Sequence, residues 1–114
     1  MADIDAARSA IEQVVAFMDG LDDDTRRRIP DTTVGALIHD LDVAFYSRLT
    51  DGRLGEVTEI DPVDLATARL RLTLHSGTLI DVVEGRLSFA RGWARGLIKV
   101  DARLRDIFEL RRFL

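Results

Sequence analysis

The spacing of apolar residues along this chain changes period several times, and each change predicts an element. In residues 4–18 the apolar side chains Ile11, Val14, Val15 and Met18 recur at steps of three, four and seven, the stripe of an amphipathic helix that Gly20 stops. Next comes Asp22-Asp23-Asp24-Thr25-Arg26-Arg27-Arg28. On a helix each Asp has an Arg four residues on, with the acids at the N-terminal end where the helix dipole favours them. Consecutive helical residues point in different directions and the Arg triplet supplies competing cations, so the three Asp residues are not read as a metal site. Pro30 closes this helical opening.

From Thr33 the period becomes two. Val34, Ala36 and Ile38 alternate with Gly35, Leu37 and His39, and Val43, Phe45, Ser47 and Leu49 alternate with Ala44, Tyr46 and Arg48. This predicts two strands joined by a turn at Asp40-Leu41-Asp42. Asp51-Gly52 suits a type I′ hairpin that sends the chain into a strand over 54–60. Beyond Pro62, Ala68, Leu70, Leu72 and Leu74 alternate with Arg69, Arg71 and Thr73, giving one dry face and one wet face.

Ser76 then reads as the N-cap of a helix that carries Leu79, Ile80, Val82 and Val83 and stops at Gly85. Ser88 reads as the N-cap of a short helix with Phe89 and Trp93 on one face, and Leu97, Ile98 and Val100 after Gly96 predict a buried strand. Leu104, Ile107, Phe108 and Leu114 fall on one side of a final helix. The succession predicts an α+β fold in which one mainly antiparallel five-stranded sheet is covered by helices. At 114 residues the chain has room for one core, so 1–114 is read as a single domain.

Residues 85–100 read Gly-Arg-Leu-Ser-Phe-Ala-Arg-Gly-Trp-Ala-Arg-Gly-Leu-Ile-Lys-Val. This order resembles the signature of the sterol carrier protein 2 family, in which a helix leads through a Gly into the last strand. The hairpin Leu49-Thr50-Asp51-Gly52 falls where the family often has an Asp-Gly turn, and the succession of elements extends the likeness over most of the chain. One departure is Asp101-Ala102, where many members carry a Gly just after the last strand. The ending Arg-Arg-Phe-Leu lacks the peroxisomal Ser-Lys-Leu of some eukaryotic members, which points to a bacterial cytoplasmic member.

The resemblance implies an SCP2-like domain with an apolar tunnel between sheet and helices, covered by the C-terminal helix and holding a fatty acyl chain, an acyl-CoA, a sterol or another lipid. The lining would then come from Phe45, Leu70, Leu72, Leu74, Leu79, Val83, Phe89, Trp93, Ile107, Phe108 and Leu114. Arg91 and Arg95, or Arg111 and Arg112, would meet a carboxylate or phosphate at the mouth. The same apolar residues serve equally as an ordinary core. The alternative is therefore an interaction or dimerisation module with a filled core, for which the tail Phe113-Leu114 supplies an apolar patch.

Composition narrows the classes further. Hydrophobic residues at 46% and charged residues at 32% match an ordinary soluble domain rather than a disordered chain. Cys is absent, which removes disulfides and thiolate chemistry and suits a reducing cytoplasm. The acidic start lacks the features of a secretion signal, and no apolar run approaches the roughly 20 residues of a membrane span. The net charge of -4 conceals an asymmetry: residues 86–114 hold eight basic and three acidic side chains, a net of +5, and the remainder carries -9. That basic end suits an anionic head group or transient contact with a membrane surface, or is simply solvated. Overall acidity, with a pI near 5.1, argues against a nucleic-acid partner.

Catalytic chemistry has few candidates. His39 and His75 are the two histidines, no Gly-x-Ser-x-Gly elbow is present, and a separation of 36 positions matches no zinc spacing. Gly85, Gly92 and Gly96 lack the Gly-Lys-Ser/Thr ending of a phosphate loop. The expectation is a non-enzymatic monomer or homodimer without metal or cofactor, whose partner is an apolar small molecule.

Overall fold

The computed structural model describes residues 3–102. Asp3 opens α1 (Ile4–Asp19) by accepting the Ala6 N–H at 2.8 Å, which satisfies one of the donors a helix start leaves free. This helix buries Ala7 and Ala10 completely, while Ile11, Val14, Val15 and Met18 are half-buried. Small residues at the contact let it approach its neighbours closely. Its last turn has no basic residue of its own. Arg26 of α2 (Asp23–Arg27) supplies the missing donor, reaching the carbonyls of Met18 and Asp19 at 3.0 and 2.9 Å. The charge pattern expected on α2 is therefore redistributed. Asp22 caps the helix through the Thr25 N–H at 2.7 Å, and Arg27 pairs with Asp24 three residues back at 3.6 Å.

One sheet contains β1 (Thr32–Ile38), β2 (Val43–Thr50), β3 (Arg53–Leu54), β4 (Thr58–Ile60), β5 (Leu70–Leu74) and β6 (Ile98–Asp101). Both β3 and β4 pair with β2, and from there the order runs β1, β5, β6. Every pairing is antiparallel except the central one, β1 with β5. The parallel pair arises because the chain leaves β4, crosses through a 3-10 helix at Pro62–Thr67 and re-enters beside β1.

Among the described residues six strands replace the expected five because the segment over 54–60 is interrupted. Leu49 faces Leu54, whereas Ala44 faces Ile60, a slip of one residue between the two registers. Gly55 donates its N–H to the Arg48 carbonyl at 2.9 Å, and its own carbonyl accepts from the buried Ser47 hydroxyl at 3.2 Å. The two short strands are halves of one bulged strand. The preceding turn takes the expected form, with φ of +53° at Asp51 and +72° at Gly52.

Strand alternation builds an apolar front face. Ala36 lies between Phe45 and Leu72, Ile38 lies between Val43 and Leu74, and Ile98 completes the row beside Leu74. Ala10, Ile38, Val43, Phe45, Leu74, Leu79 and Ile98 form the buried cluster, with α1, α3 (Ser76–Val83) and α4 (Phe89–Ala94) supplying its cover. On the opposite face the 3-10 helix packs over Gly35. A Cβ at that glycine would stand 2.5 Å from Leu65 Cδ1 and 3.0 Å from Ala68 Cβ.

Two local expectations need correction. β6 is an edge strand: Ile98 is buried and Val100 half-buried, but Leu97 is exposed. The N-cap of α3 is His75, not Ser76, because the His75 Nδ1 accepts the Gly77 N–H at 2.9 Å. Ser88 does cap α4, accepting the Arg91 N–H at 3.2 Å. The final helix expected from Leu104 to Leu114 lies outside the described residues.

Candidate ligand-binding site

Between the front face and the helices lies a cavity of about 240 Å³. Val34, Ala36 and Ile38 of β1, Phe45, Tyr46 and Ser47 of β2, Leu72 and Leu74 of β5, and Ile98 of β6 border it from the sheet. Ile11 and Val14 of α1, Leu79 and Val82 of α3, Phe89 of α4, and Leu54 and Val57 of the bulged segment complete the lining. The small side chains of Ala36 and Ser47 leave room on a face otherwise filled by Phe45, Leu72 and Leu74.

Among the described residues no charged side chain lines this space. Among the described lining residues, Ser47 has its hydroxyl committed to the Gly55 carbonyl, and Tyr46 sits beside Gly35 in the register, on the other face of the sheet. Such a lining accepts hydrocarbon and penalises an ionised group by several kcal/mol, since burying an unpaired charge has no compensating bond.

Of the residues expected at a site, Phe45, Leu72, Leu74, Leu79 and Phe89 line the cavity. Leu70, Val83 and Trp93 stand outside the lining. Val83 packs against the core, and Trp93 meets Phe89 edge to face, with ring centroids 6.1 Å apart. Arg91 and Arg95 are exposed on α4 and at its C-cap, and neither has an ion-pair partner among the described residues. Ile107, Phe108, Leu114, Arg111 and Arg112 lie outside the described residues. The pattern that placed Ile11, Val14, Val34, Ile38 and Ile98 on apolar faces was visible in the sequence. Nothing in it separates a side chain that borders empty space from one that borders another side chain. The two small residues on the front face, Ala36 and Ser47, were the available signal.

A second cluster forms where β1 and β5 end side by side. The register that sets Ile38 beside Leu74 brings His39, now in a turn rather than on a strand, to His75, with ring centroids 5.7 Å apart. Asp40, its side chain about one-tenth exposed, accepts the Ser76 N–H at 2.8 Å and the Ser76 hydroxyl at 2.5 Å. The His75 Nε2 stands 3.5 Å from the same carboxylate. Burial alone pushes the Asp40 carboxyl up, but the two hydrogen bonds from Ser76, with His75 beside it, outweigh that and hold it below the usual carboxylate range.

This cluster contains a Ser, a His and an Asp but not the wiring of a triad. The Ser76 hydroxyl donates to the carboxylate instead of to an imidazole, and Ser76 has no exposed surface. What the arrangement does is tie the end of β1 to the start of α3, the helix that delivers Leu79 and Val82 to the cavity.

No protein-family model and no curated protein matches this chain. Solved structures do. Sterol carrier protein 2 like 2 from Aedes aegypti is 12% identical with a TM-score of 0.66 over 96% of each chain, and its palmitated form in solution gives 0.65 at 12% identity over 97% of this chain and 93% of that one. A sterol carrier protein 2 structure is 16% identical, with a TM-score of 0.66 over 95% of this chain and 84% of the other. The sec-alkylsulfatase Pisa1 from Pseudomonas sp. is 22% identical with a TM-score of 0.55, covering 89% of this chain. This chain spans only 16% of the length of that sulfatase. The chain thus has an SCP2-like α+β fold.

Proposed function

We propose that this chain binds and carries a lipid or similar apolar small molecule in the cavity between its sheet and helices, without catalysis. The observation that carries this reading is the apolar lining of a space of about 240 Å³ bordered by elements of both layers. The fold adds support, because one structure sharing it is described as palmitated. In this reading Phe45, Leu72, Leu74, Leu79 and Phe89 touch the ligand, and Trp93 senses it through Phe89. Arg91 and Arg95, exposed on the helix that supplies Phe89, meet an anionic head group. Among the described residues no helix is long and apolar enough to cross a membrane, and we place the protein in a bacterial cytoplasm.

The test is solvent extraction and mass analysis of freshly purified protein, followed by titration of Trp93 fluorescence with palmitic acid. A stoichiometric lipid, or a saturable change with palmitic acid, is expected. Absence of both a co-purified lipid and any fluorescence response would sink the carrier and favour the interaction module with a filled core.

A further inference from the structure

We propose that the ligand is a single-chain amphiphile whose buried part is about ten carbons long, and that sterols are excluded. This inference rests on the carrier reading and adds a size limit to it. An apolar protein cavity of about 150 Å³ holds one benzene, or roughly 25 Å³ per carbon. At that density the 240 Å³ available here takes an alkyl segment of about ten carbons. A sterol needs well over twice as much, and as a rigid fused-ring body it cannot fold to fit.

The sheet side of the wall offers little room to expand. Ile38 and Ile98, fully buried, sit on hydrogen-bonded strands, and Leu74 and Leu79 belong to the same packed cluster. Widening the space means unpacking that cluster, whose interior is close-packed. The charge pattern selects an amphiphile with its polar end outside. Among the described residues the lining holds no cation to pair with an ionised head, so only the hydrocarbon part gains by entering. Ala36, flanked by Phe45 and Leu72 on the front face, then sets the depth of the space.

Calorimetric titration of the full chain with sodium n-alkyl sulfates of six to fourteen carbons, each below its micelle threshold, tests the limit, with dehydroergosterol as the sterol probe. Affinity is expected to rise about fourfold per methylene, following roughly 0.8 kcal/mol per buried CH₂, and to level off near ten carbons. Dehydroergosterol is expected to show no saturable binding. Ala36→Val, which adds two carbons to the wall, is expected to move the plateau about two carbons shorter. Affinity still climbing at fourteen carbons, or saturable sterol binding, overturns the size limit while leaving the carrier intact. Absence of binding by every probe overturns both.

Discussion

The bond between Asp40 and Ser76 offers the sharpest single perturbation. Asp40→Ala removes the acceptor of two hydrogen bonds, at 2.8 Å to the Ser76 N–H and 2.5 Å to its hydroxyl, while Ser76 itself stays without exposed surface. Each buried donor left unsatisfied costs about 1–3 kcal/mol, so the variant should lose about 2–6 kcal/mol. That is a large share of the roughly 5–15 kcal/mol that holds a domain together. Asp40→Asn keeps a carbonyl acceptor for the backbone N–H, but its amide can only donate to the Ser76 hydroxyl and leaves that O–H without an acceptor, so it should lose about 1–3 kcal/mol, less than Asp40→Ala. In a Ser76→Ala background the orphaned hydroxyl is gone, and Asp40→Ala should cost about 1–3 kcal/mol less than it does alone.

Urea unfolding followed by far-ultraviolet circular dichroism at pH 7 measures the wild type and the four variants. Wild-type stability of Asp40→Ala, or an equal cost with and without the Ser76 hydroxyl, would show that these two bonds contribute nothing. Acid gives an independent reading. Because the folded Asp40 carboxyl lies below its ordinary value, its contribution is complete above about pH 4 and disappears as pH falls through the folded value. Asp40→Asn should lack that component, so the gap between wild type and variant should close on acidification.

Other sites give predictions of defined sign. Gly35→Ala drives a methyl against Leu65 Cδ1 and the Ala68 Cβ behind the sheet, and should cost about 1–3 kcal/mol in urea unfolding by overpacking. A variant as stable as wild type would show that the 3-10 helix shifts freely. Ser88→Ala removes the cap of α4 and should cost about 1 kcal/mol, with faster hydrogen exchange at the Arg91 amide as its local mark. Unchanged exchange there would mean that the cap contributes nothing.

Local chemistry was legible in the sequence. The stripe along α1, the positive φ angles at Asp51-Gly52 and the Ser88 cap all depend on residues within about four positions of one another, and all appear in the fold. The α+β class followed from the succession of such pieces. Tertiary structure decided what lies beyond that reach. A parallel register between β1 and β5 joins His39 to His75 and Asp40 to Ser76, partners 36 positions apart. The same packing moved the α3 cap from Ser76 to His75, since Asp40 had already engaged the serine. A one-residue slip against β2 divided an apparently continuous strand into β3 and β4. The cavity belongs to this second class as well. Its residues carry the same alternation as any core, and the space exists only because two layers meet over Ala36 and Ser47 without filling it. Side-chain pattern records which face a residue takes, whereas the gap between faces is a property of the assembled layers.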